Sequence, residues 1–179
     1  FKKNTHKAFL HTENIYRSPY ILEYWSERQG LPFIGELFRQ GKKGEDPVMT
    51  YKRMQNLSQE QFNDEMFDAY QHLINFDYKR VFSITRPWAN SFPDFRSCLE
   101  EKEDGWYQVR KAWCPENYGF NAIHLKVPAA STTVQITFSG ITPAGQDYNI
   151  QSPEKAGWRY GVVGVRNRTD NPGRSTQKP

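Results

Sequence analysis

The segment from Gly41 to Asp77 constrains the fold most, because its helix boundaries are marked by capping residues. Asp46 stands directly before Pro47, which is the order of an N-cap and a first helical residue. This pair predicts a helix that ends near Gln55. The polar loop before it separates this helix from the preceding one.

The next helix has the clearest signal in the chain. Ser58 and Gln61 have the spacing of a capping box, and Leu57 and Phe62 have that of a hydrophobic staple. Apolar side chains then recur at helical spacing to about Asn75. They are Phe62, Met66, Tyr70, Leu73 and Ile74.

Two further helices are predicted before Gly41. "SPYILEYWSERQG" begins with Ser18 and Pro19 and ends at Gly30, and "LPFIGELFRQG" has Pro32 near its start. Short breaks between successive helices favour antiparallel packing. The predicted buried faces are Ile21, Leu22 and Trp25, then Phe33, Ile34, Leu37 and Phe38, and in the third helix Val48, Tyr51 and Met54.

The second half of the chain changes to a period of two. "FRSCLEEKEDGWYQVRKAWC" predicts a hairpin that turns at Glu103–Gly105. "NAIHLKV" and "TTVQITFSGI" alternate, and "GWRYGVVGVRN" is apolar on both faces, which predicts a central strand. The alternating apolar residues are Ile123, Leu125 and Val127, and then Val134, Ile136 and Phe138.

The sequence therefore predicts an α+β chain in two parts and a tail. An antiparallel helical subdomain spans 1–92, and a mostly antiparallel β-sandwich-like domain spans 93–168. Residues 169–179 have little to bury and are expected to form a flexible tail.

Charge and hydropathy exclude two kinds of partner. The net charge of +4 is mild and dispersed, whereas nucleic-acid binding needs a concentrated basic stripe. No apolar run approaches the roughly 18 residues of a membrane helix. The first residue is Phe1 and no signal peptide is visible, so we expect a processed product or a fragment.

The sequence contains no catalytic motif that we recognise, so its status as an enzyme stays undecided. It lacks H-E-x-x-H, G-x-S-x-G and a phosphate-binding loop. His11 and Glu13 form an H-x-E trio, for which a surface loop is the favoured interpretation. His72 is expected to be a hydrogen-bonded histidine at the core boundary. The acids of the fourth helix, Glu60, Asp64, Glu65 and Asp68, predict a solvated face.

Aromatic residues make up 15% of the chain and offer candidate binding residues. Trp106, Tyr118, Trp158 and Tyr160 would supply a platform on which sugars or peptides stack, although burial in a core is the favoured interpretation of such residues. Cys98 and Cys114 flank the predicted hairpin. A single disulfide and two unpaired thiols are both open for them.

Several segments in this order carry a family resemblance. They are "HTENIYRSPYILEYWSERQGLPFIGELFRQ", "EDPVMTYKRMQNLSQEQFNDEMFDAY", "DGWYQV", "CPENYGFNAIHLKVP" and "AGWRYGVVGV". From about residue 10 to 166 the chain resembles the C-terminal portion of an uncharacterised family of secreted bacterial proteins, many from gut Bacteroidetes, with a zincin-like peptidase domain.

The resemblance implies a location and a role. The chain would be secreted, periplasmic or on the cell surface, as the non-catalytic C-terminal part of a zincin-like hydrolase of unknown substrate. The metal-binding helix is absent here, so no cofactor, metal ligand or catalytic residue carries over, and zinc would bind in the upstream peptidase-like domain. That domain would be the partner, and it would dock on an exposed apolar face of the helices between 18 and 40. The alternative is an extracellular module that binds a glycan or a peptide.

Overall fold

The computed structural model describes residues 3–14, 20–85, 98–125, 131, 133–142, 152–164 and 176–178, and the described chain is α+β. Its α-helices are α1 Tyr20–Gln29, α2 Pro32–Arg39, α3 Pro47–Met54, α4 Gln59–Asn75 and α5 Phe82–Thr85. Its strands are β1 Leu99–Glu101, β2 Tyr107–Val109, β3 Val162–Gly164 and β4 Thr176–Lys178. They form two antiparallel pairs, β1 with β2 and β3 with β4.

The predicted helix boundaries are confirmed where the structure describes them. The Asp46 side chain accepts from the backbone N–H of Met49, and Ser58 and Gln61 form both bonds of the capping box. Gly30 has φ +90°, the left-handed conformation that ends α1. The predicted start of α1, Ser18 and Pro19, lies outside the described residues.

Four helices meet at the ring of Tyr51. Trp25 of α1 lies parallel to it with ring centroids 4.0 Å apart, and Phe33 of α2 meets it edge-on at 5.8 Å. Phe62 of α4 lies 6.4 Å away. The Tyr51 and Trp25 side chains are both inaccessible to solvent. One aromatic cluster thus joins α1, α2, α3 and α4.

Two predictions about side-chain orientation on the helices are wrong. Phe38, expected in the buried stripe of α2, is 62% exposed. Glu65, expected on a solvated face, accepts a hydrogen bond from Tyr51 Oη and keeps only 9% of its side chain exposed. The buried Tyr51 hydroxyl needs an acceptor, and Glu65 on the neighbouring helix supplies it.

The predicted hairpin is confirmed. β1 pairs with β2 through Leu99–Val109, Glu100–Gln108 and Glu101–Tyr107. The turn places Asp104 at φ 58° and Gly105 at φ 76°, a conformation that glycine and aspartate tolerate better than most residues.

The β-sandwich is not supported by the described residues. Residues 121–125 and 133–142 carry no strand, and β3, expected to be central and buried, pairs with β4 and leaves Val162 exposed. Alternation in a sequence shows which side chains share a face, but it does not show what covers that face. The described chain supplies no second sheet over these residues.

Two further features bear on the sequence predictions. Cys98 is buried and Cys114 is half-buried, and no disulfide joins the two in the structure. None of the described helices has the length and apolar character needed to cross a membrane.

We predict that Ser58→Ala destabilises the protein by about 1 kcal/mol, because the backbone N–H of Gln61 loses its acceptor at the start of α4. Urea unfolding followed by circular dichroism measures the change. Ser58→Asp is the matched control, because aspartate caps equally well and should leave the midpoint nearly unchanged. Equal losses in both variants would contradict a capping role.

Candidate functional site

Residues 133–142 and 158–164 touch each other at two places, and we call the two segments together the ribbon. The rings of Phe138 and Tyr160 stack with centroids 4.9 Å apart. A Cβ at Gly140 would lie 2.4 Å from a ring carbon of Trp158. Residue 138 thus lies beside residue 160, and residue 140 lies beside residue 158. The two segments therefore run antiparallel at these contacts.

The inner side of the ribbon lies on α4. Arg159 Nε lies 2.5 Å from Asp64 Oδ1 and donates a hydrogen bond to it. A Cβ at Gly161 would lie 2.9 Å from Phe67 Cζ, so the backbone there is in contact with the helix. Because side chains alternate along an extended chain, residues 158, 160 and 162 point to the opposite side.

The opposite side is the outer face, and it is apolar and exposed. Tyr160 is 65% exposed and Trp158 is 42% exposed. Monomeric proteins rarely expose a contiguous apolar surface unless it binds something. Alternation along the two segments assigns to the outer face Val134, Ile136, Phe138, Trp158, Tyr160 and Val162, all exposed.

The structure separates the four aromatic residues that we singled out in the sequence. Trp158 and Tyr160 lie on the outer face, whereas Trp106 lies on the β1–β2 hairpin beside Glu103 and Asp104. Within the described residues, no ring contact joins Trp106 to the other three. An exposed platform therefore contains two of the four candidates.

Tyr118 serves a different purpose. Its ring is half-buried edge-on against Phe62, and its hydroxyl donates to Asn63 and accepts from Gln59. Burial raises the pKa of the Tyr118 phenol. Tyr70 Oη also donates to the Tyr118 carbonyl. Tyr118 thus fixes the loop after Cys114 onto α4.

Ile136, Phe138 and Val162 belong to the outer face, yet sequence reasoning did not select them. The alternation of "VQITF" placed Ile136 and Phe138 on one side, but we took that side to be the interior of a sandwich. The alternation therefore predicted that Ile136 and Phe138 share a face. It did not predict that this face is exposed, because exposure depends on what the rest of the chain covers.

A cluster of ionisable side chains lies at the junction of α1 and α4. Tyr24 Oη donates to Asp68 at 2.5 Å, and Arg28 Nη1 donates to Tyr24 Oη at 3.0 Å. Burial, followed by the bond to Asp68, raises the pKa of Tyr24, which keeps the phenol a neutral donor. His72 lies 3.9 Å from Asp68. It also contacts the Asp77 carbonyl at 3.3 Å, in agreement with its predicted boundary position.

This cluster satisfies its own hydrogen-bonding groups, and we interpret it as the polar seam between two helices. Arg28 is 3.7 Å from both Glu65 and Asp68, so one cation neutralises two carboxylates. Across the described ranges, no three His, Cys, Asp or Glu side chains are placed to hold a metal ion.

We predict that Gly140→Ala destabilises the protein by about 1–3 kcal/mol, because the new methyl group would overlap the Trp158 ring and force it to move. Trp fluorescence and urea unfolding measure this change. Gly157→Ala is the matched control, because a Cβ there meets nothing within 4 Å. A Gly140→Ala protein with unchanged stability and fluorescence would contradict the ribbon register.

Comparison with known proteins identifies the family. The chain belongs to a family of unknown function, DUF6055, whose model matches residues 1–175. No curated protein and no solved structure matches the chain significantly.

Proposed function

We propose that the chain is the non-catalytic C-terminal part of a secreted zincin-like hydrolase of unknown substrate. In this proposal its helices and ribbon form a scaffold on which an upstream peptidase-like domain packs. The chemistry, and any zinc, would belong to that domain. The observation that carries the proposal is the exposed apolar outer face of the ribbon.

The outer face supports docking because of its composition and because the ribbon contacts α4. Its side chains are large and apolar, and burying them against a partner is favourable in proportion to the area covered. The Arg159–Asp64 ion pair and the Gly161–Phe67 contact hold the inner side on α4. A surface that is already ordered loses little entropy when a partner binds.

A second exposed apolar surface lies where the resemblance leads us to expect one, on α2. Leu31 and Phe38 are seven residues apart, which is about two helical turns, so they share one side of the helix. Gly35 lies one turn from each and adds no side chain between them. This surface, like the outer face, is suited to pack against another domain.

In the whole protein, we predict that the double variant Phe138→Asp and Tyr160→Asp uncouples the two parts. A buried aspartate at such a contact costs about 2 kcal/mol or more, because its charge would have to be desolvated. Differential scanning calorimetry should show one transition in the native protein and two in the variant. Chelator-sensitive hydrolysis of casein should fall with the uncoupling.

The control for this experiment is Tyr107→Asp, which changes an equally exposed aromatic residue on β2 of the hairpin. It should leave both the calorimetric trace and the hydrolysis unchanged. A single unchanged transition in the double variant would exclude the outer face as the contact. Absence of chelator-sensitive hydrolysis in the native protein would count against the zincin-like assignment instead.

The alternative function, a glycan- or peptide-binding module, is favoured by one observation. Phe138, Trp158 and Tyr160 present aromatic rings on the same exposed side of the ribbon. Aromatic faces stack on the apolar faces of sugars and on peptide side chains. A ligand seated there would contact Trp158 directly and change its fluorescence.

For the alternative we predict saturable changes in Trp fluorescence when a polysaccharide or peptide of the right class is titrated from a panel. Trp158→Ala should abolish the response, because the responding ring would be lost. Trp106→Ala is the matched control and should keep it, since Trp106 lies on the hairpin. A fluorescence response that Trp106→Ala abolishes and Trp158→Ala preserves would place the binding site away from the ribbon.

A further inference from the structure

Residues 3–14 form an N-terminal loop that docks on the segment from Trp113 to Asn121. The backbone N–H of Phe120 donates to the Thr5 carbonyl at 2.8 Å, and that of Glu116 donates to the His6 carbonyl at 2.8 Å. The Glu116 carboxylate also accepts a hydrogen bond from the backbone N–H of Ala8 at 2.7 Å. The loop is thus attached to the segment at three points.

The docked loop fits so closely that it requires a glycine. A Cβ at Gly119 would lie 2.0 Å from the His6 carbonyl oxygen, a distance that no real side chain allows. The obstacle is backbone and cannot rotate away. Any side chain at position 119 therefore forces the loop to leave.

His6 is the ionisable group at the centre of this contact. Its side chain packs on Trp113 with ring centroids 4.8 Å apart, and the residue is only 7% exposed. Its Nδ1 is buried and has no hydrogen-bond partner in the described structure. A proton on Nδ1 would therefore create a charged donor at a buried position that has no hydrogen-bond acceptor.

The charged groups around His6 are Lys7, His11 and Glu13 from the loop and Glu116 from the docked segment. Burial, and then the Lys7 charge, lowers the pKa of His6 below its ordinary value of 6.5. Glu116 and Glu13 act in the opposite direction but do not reverse the shift. The docked loop therefore favours the neutral form of the ring.

We propose that the N-terminal loop is an acid-released clasp, in which a proton on His6 undocks residues 3–14 from the Trp113–Asn121 segment. The same segment packs on α4, where the rings of Phe120 and Tyr70 stack at 4.6 Å. The clasp therefore ties the residues before α1 to the second half of the chain. Acid would loosen that tie while the helical core stays folded.

The direction of the pH dependence follows from linkage. The released loop binds the proton more tightly than the docked loop, so docking is strongest above pH 6.5 and weakens as the pH falls below it. The weakening stops once the docked ring is itself protonated. Each unit by which the pKa of His6 lies below 6.5 corresponds to about a tenfold change in the docking equilibrium.

The test follows the amides of Glu116 and Phe120 in the full chain, because both donate to the loop. Hydrogen-exchange protection factors, measured from pH 8 to pH 4, should fall for these two amides before pH 5 is reached and should stay constant for those of α4. The ring protons of His6, followed by NMR in the same samples, should titrate over the same range. Protection that stays constant to pH 5 would overturn the proposal.

Three variants separate His6 from the other groups. His6→Phe keeps a ring against Trp113 but binds no proton, so its loop should stay docked at pH 5. Gly119→Ala should leave the loop undocked at every pH and so supplies the released reference state. His124→Gln, at an exposed histidine, should behave like the native chain.

Two further outcomes are decisive. The Lys7 ion pair lowers the pKa of Glu13 below 4.5, so a release that begins only below that pH would belong to Glu13 and overturn the role of His6. If the loop of the His6→Phe variant is undocked even at pH 8, the proposal is judged from the native chain, by comparing the titration of the His6 ring with the loss of amide protection. A His6 ring that titrates at a different pH from the loss of protection would overturn the proposal, and coincident titration would support it.

Discussion

The contact on which the rest of the helical part depends is the packing around Tyr51. One ring touches side chains from α1, α2 and α4, and its hydroxyl is bound by Glu65. α1, α2 and α3 have 8 to 10 residues each, which is too short for a helix to be stable alone in water. Burial, and then the bond to Glu65, raises the pKa of Tyr51, so the phenol stays a donor throughout the physiological range.

The two halves of the chain are organised around opposite sides of α4. One side buries Phe62, Met66 and Leu73 among the helices. The loop at Tyr118 packs beside this side, against Phe62, and the ribbon contacts the far side of α4 at Asp64 and Phe67. The described second half thus packs on a helix where we had predicted a second sheet. This arrangement explains why a sequence that alternates like a β-sandwich leaves the outer face of the ribbon exposed.

The sequence predicted the features that depend on neighbouring residues and missed those that depend on residues far away along the chain. The capping bonds of Asp46 and Ser58 lie within three residues of their partners, so the sequence specified those helix ends closely. The burial of Glu65 and the exposure of Phe38 depend on residues far away along the chain. The outer face is intermediate: alternation placed Ile136 and Phe138 together, but only the fold decided that they face solvent.

The glycines show how the second half is prepared for binding. Gly140 lets one segment of the ribbon approach the Trp158 ring, and Gly161 lets the other segment approach Phe67. Side chains at these positions would lift the ribbon from α4 or tilt Trp158 away from the outer face. Both glycines therefore permit approaches that a Cβ would block, and these two approaches set where the ribbon backbone and the Trp158 ring lie.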